Sequence, residues 1–331
     1  MADFAFATCQ PGFERALKLD VARRRPELRF SYSRPGLVTF KSPRPILPGE
    51  LPGSVFARVW GASLGAARTP EAARAILASL PLARCHVFAR DPEQPSTLGP
   101  WSKAVESLAP SNDALPGDLV ADVVVADGEP AWLGLHVHRD DDLGSPGGVF
   151  EVPIPAEAPS RAFAKLEEAL VWSRLPVAEG HVALEVGSAP GGASLALAMR
   201  GVTVYGVDPA LMDPAVLDYR GPGGARVHHL ATKVSALRWE SLPGSIDWLL
   251  ADMNLAPQVV LHELARLMPP LRRSLAGAIL TLKLNDWAFI AELPELVRRV
   301  ESFGFRYVRL RHLPSNRREI CLVAAADPPR R

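Results

Sequence analysis

Apolar positions in the C-terminal half of the chain alternate between the spacing of strands and the spacing of helices. Strand-like apolar runs occupy residues 181–186, 202–207, 246–253, 278–284, 306–312 and 319–325, and helical periodicity occupies residues 160–174, 193–200, 259–268 and 292–303. The first helix has an apolar stripe of Phe163, Leu166 and Leu170, with Ser160 as its N-cap. This order predicts a doubly wound, Rossmann-like α/β domain over residues 152–328 that closes with an antiparallel hairpin.

The N-terminal half shows a less regular α+β pattern. Strands are predicted at residues 4–8, 37–40, 55–60, 85–89, 119–126 and 131–138, and helices at 13–23, 70–80 and 102–108. A proline-rich connector at residues 43–52 divides this half. The pattern predicts small α+β domains over residues 1–48 and 50–150, ahead of the α/β domain.

Composition excludes several classes of protein without choosing a function. The chain has 331 residues, 48% hydrophobic and 22% charged, with a formal net charge of +1, so no global basic field indicates a nucleic-acid partner. Three widely spaced cysteines indicate neither a disulfide framework nor a metal motif. There is no signal-peptide pattern and no apolar run near the roughly 20 residues of a membrane span. We therefore expect a cytoplasmic monomer without a membrane segment.

Lysine is rare in this chain, and its positions are therefore informative. Of 37 basic residues only six are lysines: Lys18, Lys41, Lys103, Lys165, Lys233 and Lys283. Lys283 interrupts an apolar strand, where a charged group needs a partner or a task. A desolvated Lys, unlike Arg, can lose its proton and act as a base. Lys165 lies off the apolar stripe of its helix and, taken alone, is typical of a solvated surface residue.

A glycine-rich turn links the first strand of the α/β domain to a helix. It comprises Glu185, Val186, Gly187, Ser188, Ala189, Pro190, Gly191 and Gly192. Glycines let the backbone approach a ligand closely, and a helix N-terminus follows. The turn lacks the GxGxxG spacing and the final Lys-Ser/Thr of a P-loop, which disfavours a pyrophosphate cradle. Asp208 ends the next strand, where it either accepts both ribose hydroxyls of a nucleoside ligand or caps the following turn.

These residues together resemble the FtsJ-like ribose 2′-O-methyltransferases, and among them the RlmM type that modifies a cytidine of 23S rRNA. The glycine loop, Asp208 and the set Lys165, Asp252, Lys283 and Glu319 carry the likeness, the last four matching a Lys-Asp-Lys-Glu tetrad. Residues 159–169 resemble the opening helix of the RlmM type, and residues 9–14 resemble its first small domain.

The resemblance implies an S-adenosylmethionine-dependent methyltransferase domain after a ferredoxin-like domain (1–48) and a THUMP-like RNA-binding domain (50–150). It implies that the cofactor is held by Glu185, Gly187, Ser188, Ala189, Pro190, Gly191, Gly192, Asp208 and Asp252. Lys283 is then the general base, while Lys165, Asp252 and Glu319 position it and the target ribose. Burial and a second Lys lower the pKa of such a base, whereas a carboxylate raises it. The implied partner is RNA, namely large-subunit rRNA or its precursor.

Asp252 and Glu319 also have ordinary structural interpretations. Asp252 could cap the end of its strand, and Glu319 could pair with Arg317 or Arg318 on the surface, where such pairs contribute little. His136 and His138 alternate along a strand, a spacing more typical of a shared packed or solvated face than of a metal site, so no metal is expected.

Several positions depart from the family pattern. Glu185 replaces the usual Asp, and Ser188 replaces a small residue. The segment 230–233 offers no acid for the adenine of the cofactor. The segment 254–257 is not the Asn/Asp-Pro-Pro-Tyr/Phe motif of amine methylation, and no Pro-Cys nucleophile indicates cytosine C5 chemistry.

The arginine-rich stretch 298–318 and the N-terminal modules are the expected RNA contacts, with Trp60, Trp101 or Trp287 available to stack on bases. For any one of these residues, a core or solvated position is the simpler interpretation. Two other functions remain open: a 2′-O-methyltransferase acting on tRNA or another RNA, and an inactive RNA-binding or ribosome-assembly protein of the same fold.

Overall fold

The computed structural model describes residues 2–94 and 96–329, which form two compact units dividing between Glu151 and Val152. Within those residues, no helix is both long enough and apolar enough to cross a membrane. Each unit is built around one seven-stranded sheet.

Unit 1 contains seven strands and three helices. In chain order they are β1 (Ala2–Thr8), α1 (Glu14–Arg24), β2 (Arg29–Arg34), β3 (Leu37–Ile46), β4 (Trp60–Ala67), α2 (Pro70–Leu77), β5 (Arg84–Ala89), α3 (Gly99–Val105), β6 (Leu119–Val125) and β7 (Ala131–Val137). The sheet order is β2-β3-β1-β4-β7-β6-β5, with β5 and β6 parallel and the other pairs antiparallel. Because β1 pairs with β4, strands from both sides of the proline-rich connector share one sheet. Separate domains over 1–48 and 50–150, and the THUMP-like character of the second, stay predictions.

Unit 2 contains seven strands and five helices. In chain order they are α4 (Ala162–Ser173), β8 (Val182–Val186), α5 (Gly192–Met199), β9 (Thr203–Val207), α6 (Pro214–Asp218), β10 (Val227–Leu230), β11 (Trp248–Ala251), α7 (Pro257–Leu271), β12 (Gly277–Lys283), α8 (Leu293–Glu301), β13 (Tyr307–Arg311) and β14 (Glu319–Ala325).

The sheet of unit 2 has the order β10-β9-β8-β11-β12-β14-β13. The first five strands are parallel, and β14 runs antiparallel to both β12 and β13. This confirms the doubly wound α/β fold with a terminal antiparallel hairpin. The strand order reverses between β8 and β11, and such a switch point opens a crevice at the carboxyl ends of the strands.

Burial of strands in unit 2 explains why they appear in the sequence as continuous apolar runs. Strands β11 and β14 are buried along their whole length, as expected for strands covered on both faces. Helix α4 packs on α5, and α7 packs on α8. The predicted stripe residues Phe163, Leu166 and Leu170 are all buried.

Some predicted elements were wrong in position or missed. The strand expected at 55–60 begins only at Trp60, because residues 54–59 form a turn held by hydrogen bonds from the Ala57 amide to the Ser54 carbonyl (3.4 Å) and from the Arg58 amide to the Thr8 carbonyl (2.7 Å). Strand β2 was missed because it is a short, mostly exposed edge strand in which only Phe30 and Tyr32 alternate with polar residues. Helix α4 begins at Ala162, with Arg161 rather than Ser160 as its N-cap.

Candidate active site

Four elements of unit 2 bring the predicted tetrad together. Lys165 lies in α4, Asp252 directly follows β11, Lys283 ends β12, and Glu319 begins β14. Lys283 and Glu319 are direct cross-strand partners in the β12–β14 ladder, which fixes their side chains beside each other. The hairpin at the end of the chain therefore contributes directly to the site.

The four side chains form a closed ring of alternating charge. The Lys283 ammonium donates to Asp252 Oδ1 at 3.0 Å and to Glu319 Oε2 at 2.6 Å. The Lys165 ammonium donates to Asp252 Oδ2 at 3.1 Å and forms an ion pair with Glu319 Oε1. Each lysine thus bridges both carboxylates. Glu319 pairs with the two lysines rather than with Arg317 or Arg318, contrary to its ordinary surface interpretation.

The ring is largely screened from solvent, with side-chain exposures of 14% for Lys165, 21% for Asp252, 17% for Lys283 and 7% for Glu319. Burial raises the pKa of the Glu319 carboxyl, but hydrogen bonds and charge from both lysines outweigh it, so the net pKa is lowered. Burial likewise lowers the pKa of the Lys283 ammonium, but Asp252 and Glu319 outweigh it and raise the net pKa above its ordinary value. Lys283 is therefore an ammonium at neutral pH in the chain without RNA, and a neutral Lys283 with RNA bound stays a prediction.

The glycine loop lies against this ring. Gly187 and Gly191 have φ angles of 78° and 114°, in the left-handed region that favours glycine. A Cβ at Gly187 would lie 2.6 Å from the carbonyl oxygen of Asp252, so the loop touches the backbone of a tetrad residue. A Cβ at Gly191 would lie 2.4 Å from Met212 Sδ. Helix α5 then begins at Gly192.

Asp208 follows β9 and fastens the loop. Its Oδ2 accepts a hydrogen bond from the Ala189 amide at 3.1 Å, and its Oδ1 accepts one from the Ala210 amide at 2.8 Å. The second contact is the turn cap that the sequence left open as an alternative. A carboxylate can accept about four hydrogen bonds, so two such contacts leave room for ribose hydroxyls.

Glu185 points into the interior of unit 2. It is 3% exposed, hydrogen-bonds with the hydroxyl of Ser194 on α5, and lines a small cavity together with Lys165 and Asp252. Burial raises the pKa of the Glu185 carboxyl to about 8. At neutral pH the Glu185 carboxyl is therefore mostly protonated, and its hydrogen bond with Ser194 links β8 to α5. Sequence reasoning did not find its partner Ser194, whose only signal was a polar residue in an apolar helix.

The loop residues fit a nucleoside cofactor such as S-adenosylmethionine. Gly187 and Gly191 have left-handed φ angles and no side chain, so a ligand can approach their backbone closely. The N-terminus of α5 and the Asp208 carboxylate lie at the same end of the sheet. Ser188 is 2% exposed, and its Oγ lacks a hydrogen-bond partner in the described chain, so it is the one loop side chain with an unmet polar atom. No acid lies in the segment 230–233, and His229 Nε2 hydrogen-bonds with the Asp208 carbonyl oxygen at 3.0 Å instead.

Two of the three predicted RNA-stacking tryptophans and the histidine pair lie in unit 1, whereas Trp287 lies in unit 2, four residues after Lys283. Trp60 and Trp101 belong to unit 1, where Trp60 is buried and Trp101 packs against the core. His136 Nδ1 lies 2.6 Å from Asp122 Oδ2 in the same unit, a buried His–Asp pair. Over residues 2–94 and 96–329, no group of three or more His, Cys, Asp or Glu side chains could hold a metal ion.

Curated proteins named ribosomal RNA large subunit methyltransferase M match about half of the chain. Over 187 residues the chain is 30% identical to ribosomal RNA large subunit methyltransferase M of Dickeya chrysanthemi, covering 54% of this chain and 49% of that protein. Against the protein of the same name from Halorhodospira halophila the identity is 34% over 187 residues, covering 55% and 51%. The chain spans about half the length of the curated relatives it matches. No family model matches it.

A solved structure overlaps with most of this chain, but with a low TM-score. TrmN from Thermus thermophilus overlaps with 97% of this chain and 99% of its own, at 18% identity and a TM-score of 0.39. At so low a score the overlap carries no functional meaning, and the fold assignment rests on the strand order of unit 2.

Proposed function

We propose that this chain is an S-adenosylmethionine-dependent methyltransferase that methylates a ribose 2′-hydroxyl of RNA. The observation that carries the proposal is the ring of Lys165, Asp252, Lys283 and Glu319 held against the glycine loop. A structural salt bridge needs one cation and one anion, whereas this site gathers two of each at a switch point in the sheet. Buried charges gathered in this way favour catalysis over packing.

When bound, S-adenosylmethionine would supply a methyl group on a sulfonium, whose sulfur–methyl bond would break to release the neutral thioether S-adenosylhomocysteine, a good leaving group. The remaining tasks for the protein are to hold the ribose oxygen in line and to take its proton. Neutral Lys283 accepts the proton of the 2′-hydroxyl as the oxygen–carbon bond forms and so becomes an ammonium. Lys165, Asp252 and Glu319 orient its amino group. The loop residues 187–192, with Asp208 and Asp252, hold the cofactor, and Glu185 acts behind them through Ser194.

The unliganded site adds one requirement to this scheme. Its two carboxylates hold Lys283 as an ammonium, so Lys283 must release a proton before it can act as the base. Seating of the RNA excludes water and favours the neutral amine, because desolvation disfavours charge. The rate should therefore rise with pH through the neutral range.

We further propose that the RNA is large-subunit rRNA or its precursor, that the target is a cytidine, and that unit 1 supplies RNA affinity as a THUMP-like module. The names of the curated relatives support the choice of RNA. The chain would work as a monomer in the cytoplasm, where reducing conditions suit its three buried free cysteines.

The test is methyl transfer from tritiated S-adenosylmethionine to in vitro-transcribed large-subunit rRNA. Lys283→Ala should reduce the initial rate by at least about a hundredfold, the usual contribution of a general base, while the affinity for S-adenosylmethionine is kept. Arg273→Ala, which removes an exposed cation after α7, is the matched control and should match wild type. Equal rates for Lys283→Ala and wild type would refute the assignment of the base.

A further inference from the structure

The loop between β13 and β14, residues 312–318, borders the site, because its Asn316 lines the same cavity as Lys165 and Asp252. Its Ser315 donates from both the amide (2.7 Å) and the hydroxyl (2.6 Å) to the buried carboxylate of Glu168 on α4. Asn316 is 1% exposed, and its Oδ1 accepts a hydrogen bond from the Leu313 amide at 2.9 Å. Helix α4 thus carries Lys165 into the tetrad and also anchors this loop.

The end of the loop is tied to the tetrad itself. Arg318 immediately precedes Glu319, and its carbonyl oxygen accepts a hydrogen bond (2.8 Å) from the amide of Leu284, the residue after Lys283. The carbonyl oxygen of Arg317 accepts a hydrogen bond from His312 Nε2 at 2.9 Å. The backbone of both arginines is therefore fixed within a few ångströms of two tetrad residues, since consecutive Cα atoms lie about 3.8 Å apart.

The side chains of these two arginines are exposed and unpaired. Both are solvent-exposed, and within the described residues neither guanidinium forms an ion pair or hydrogen bond. Elsewhere in the stretch 298–318, Arg298 pairs with Glu295 and Arg306 pairs with Asp327, while Arg299 lies in α8. Among the arginines without an ion pair in the described part of this stretch, Arg317 and Arg318 are the two next to the tetrad along the chain.

The charge balance indicates what these cations are for. The tetrad is neutral overall, with two lysines against two carboxylates, and Arg317 and Arg318 add two exposed positive charges next to it along the chain. Two fixed arginines on a rigid loop suit phosphate oxygens, which Arg binds through its fork of donors. A polynucleotide presents such phosphates on either side of each ribose.

We propose that Arg317 and Arg318 bind the RNA backbone phosphates that flank the ribose being methylated. This inference rests on the proposed function and adds how the substrate strand is held. The contacts do not depend on sequence, so they set how the strand is seated and leave the choice of nucleotide to other residues. Glu168 and Ser315 act through the loop and are positioning residues.

The experiment measures steady-state methyl transfer to the same large-subunit rRNA transcript at several salt concentrations. Arg317→Ala and Arg318→Ala should each raise KM for RNA about tenfold, the effect of losing one charge-assisted hydrogen bond. They should leave kcat, the affinity for S-adenosylmethionine and the melting temperature near wild type. Each should also reduce the slope of log affinity against log salt by about 0.7, the value for one phosphate contact on a single strand. Arg317→Lys and Arg318→Lys should retain most of the salt slope.

Arg273→Ala is again the control, because it removes an exposed cation just before β12, at the opposite end of that strand from Lys283. If the two arginine variants show the KM and salt slope of Arg273→Ala, the phosphate contacts are refuted while the proposed function stands. If wild type itself transfers no methyl group to RNA, the proposed function fails and this inference fails with it.

Discussion

Lys283 illustrates how one side chain can satisfy both a folding requirement and a chemical one. It ends a buried strand, where an unpaired ammonium would destabilise the fold. Its partners Asp252 and Glu319 offset the loss of solvation of the ammonium. The same partners keep it protonated, which opposes its use as a base. Its protonation state therefore depends on the balance between burial and two carboxylates, and that balance can be shifted by mutation.

Glu319→Gln should shift the pH–rate profile to lower pH. Glu319 helps to raise the pKa of Lys283, so its removal lowers that pKa and increases the neutral fraction at any given pH. The measurement is kcat for RNA methylation across the neutral and alkaline range, compared with wild type. A profile that stays in place, or moves to higher pH, would contradict the role of Lys283 as the titrating base.

Glu185→Gln should make stability less dependent on pH. Burial raises the pKa of Glu185 to about 8 in the folded chain, above the ordinary value of 4.5. The folded state therefore binds more protons than the unfolded state between these values, and the stabilisation from this group is lost as pH rises through them. Gln keeps the neutral form, so its melting temperature should fall less between about pH 5 and pH 8.

Thermal denaturation followed by circular dichroism measures this effect, with the exposed-acid variant Glu301→Gln as control. Glu301→Gln should run parallel to wild type across the range. Parallel curves for Glu185→Gln and wild type would show that Glu185 is ionised in the folded chain.

At the scale of elements, the glycine loop depends on contacts that only glycine allows. Gly191→Ala combines a left-handed φ with a Cβ only 2.4 Å from Met212 Sδ and 3.0 Å from both Val216 methyl carbons. It should weaken S-adenosylmethionine binding by at least about tenfold, equivalent to about 1.4 kcal/mol. Gly180→Ala has a similar φ of 84° but no neighbour within 4 Å, so it should cost only about 1 kcal/mol of stability and leave binding unchanged.

Isothermal titration calorimetry of both variants separates the two effects. Equal cofactor affinities for Gly191→Ala and Gly180→Ala would mean that the loop does not need the close approach at Gly191.

The elements also show what the sequence could and could not predict. Strand β14 was predicted to the residue, because its apolar run is continuous and begins directly after the polar Glu319. The turn at 54–59 was mistaken for a strand, since Val55 and Phe56 are apolar for packing rather than for pairing. Strand β2 is short and mostly exposed, and the alternation of Phe30 and Tyr32 with polar residues was too brief a pattern to predict it. The Glu168–Ser315 contact spans 147 residues, a distance that no local pattern records.

At the scale of the whole molecule, charge is distributed locally rather than globally. The net charge is +1, so attraction to RNA must come from particular sites, and the arrangement of charge at the tetrad matters more than the total. The tetrad residues could be predicted from the sequence, but the protonation state of Lys283 could not. That state depends on distances of about 3 Å between residues far apart in the chain. For the same reason, the sequence alone could not distinguish arginines that have an ion-pair partner from arginines that have none.

The most direct test of the central claim is nucleoside analysis by mass spectrometry of large-subunit rRNA after reaction with S-adenosylmethionine. Wild type should add a 2′-O-methylated nucleoside, with cytidine as the expected target, and Lys283→Ala should add none while still binding the cofactor. A methyl group found on a base, or equal 2′-O-methylation by wild type and Lys283→Ala, would contradict the account.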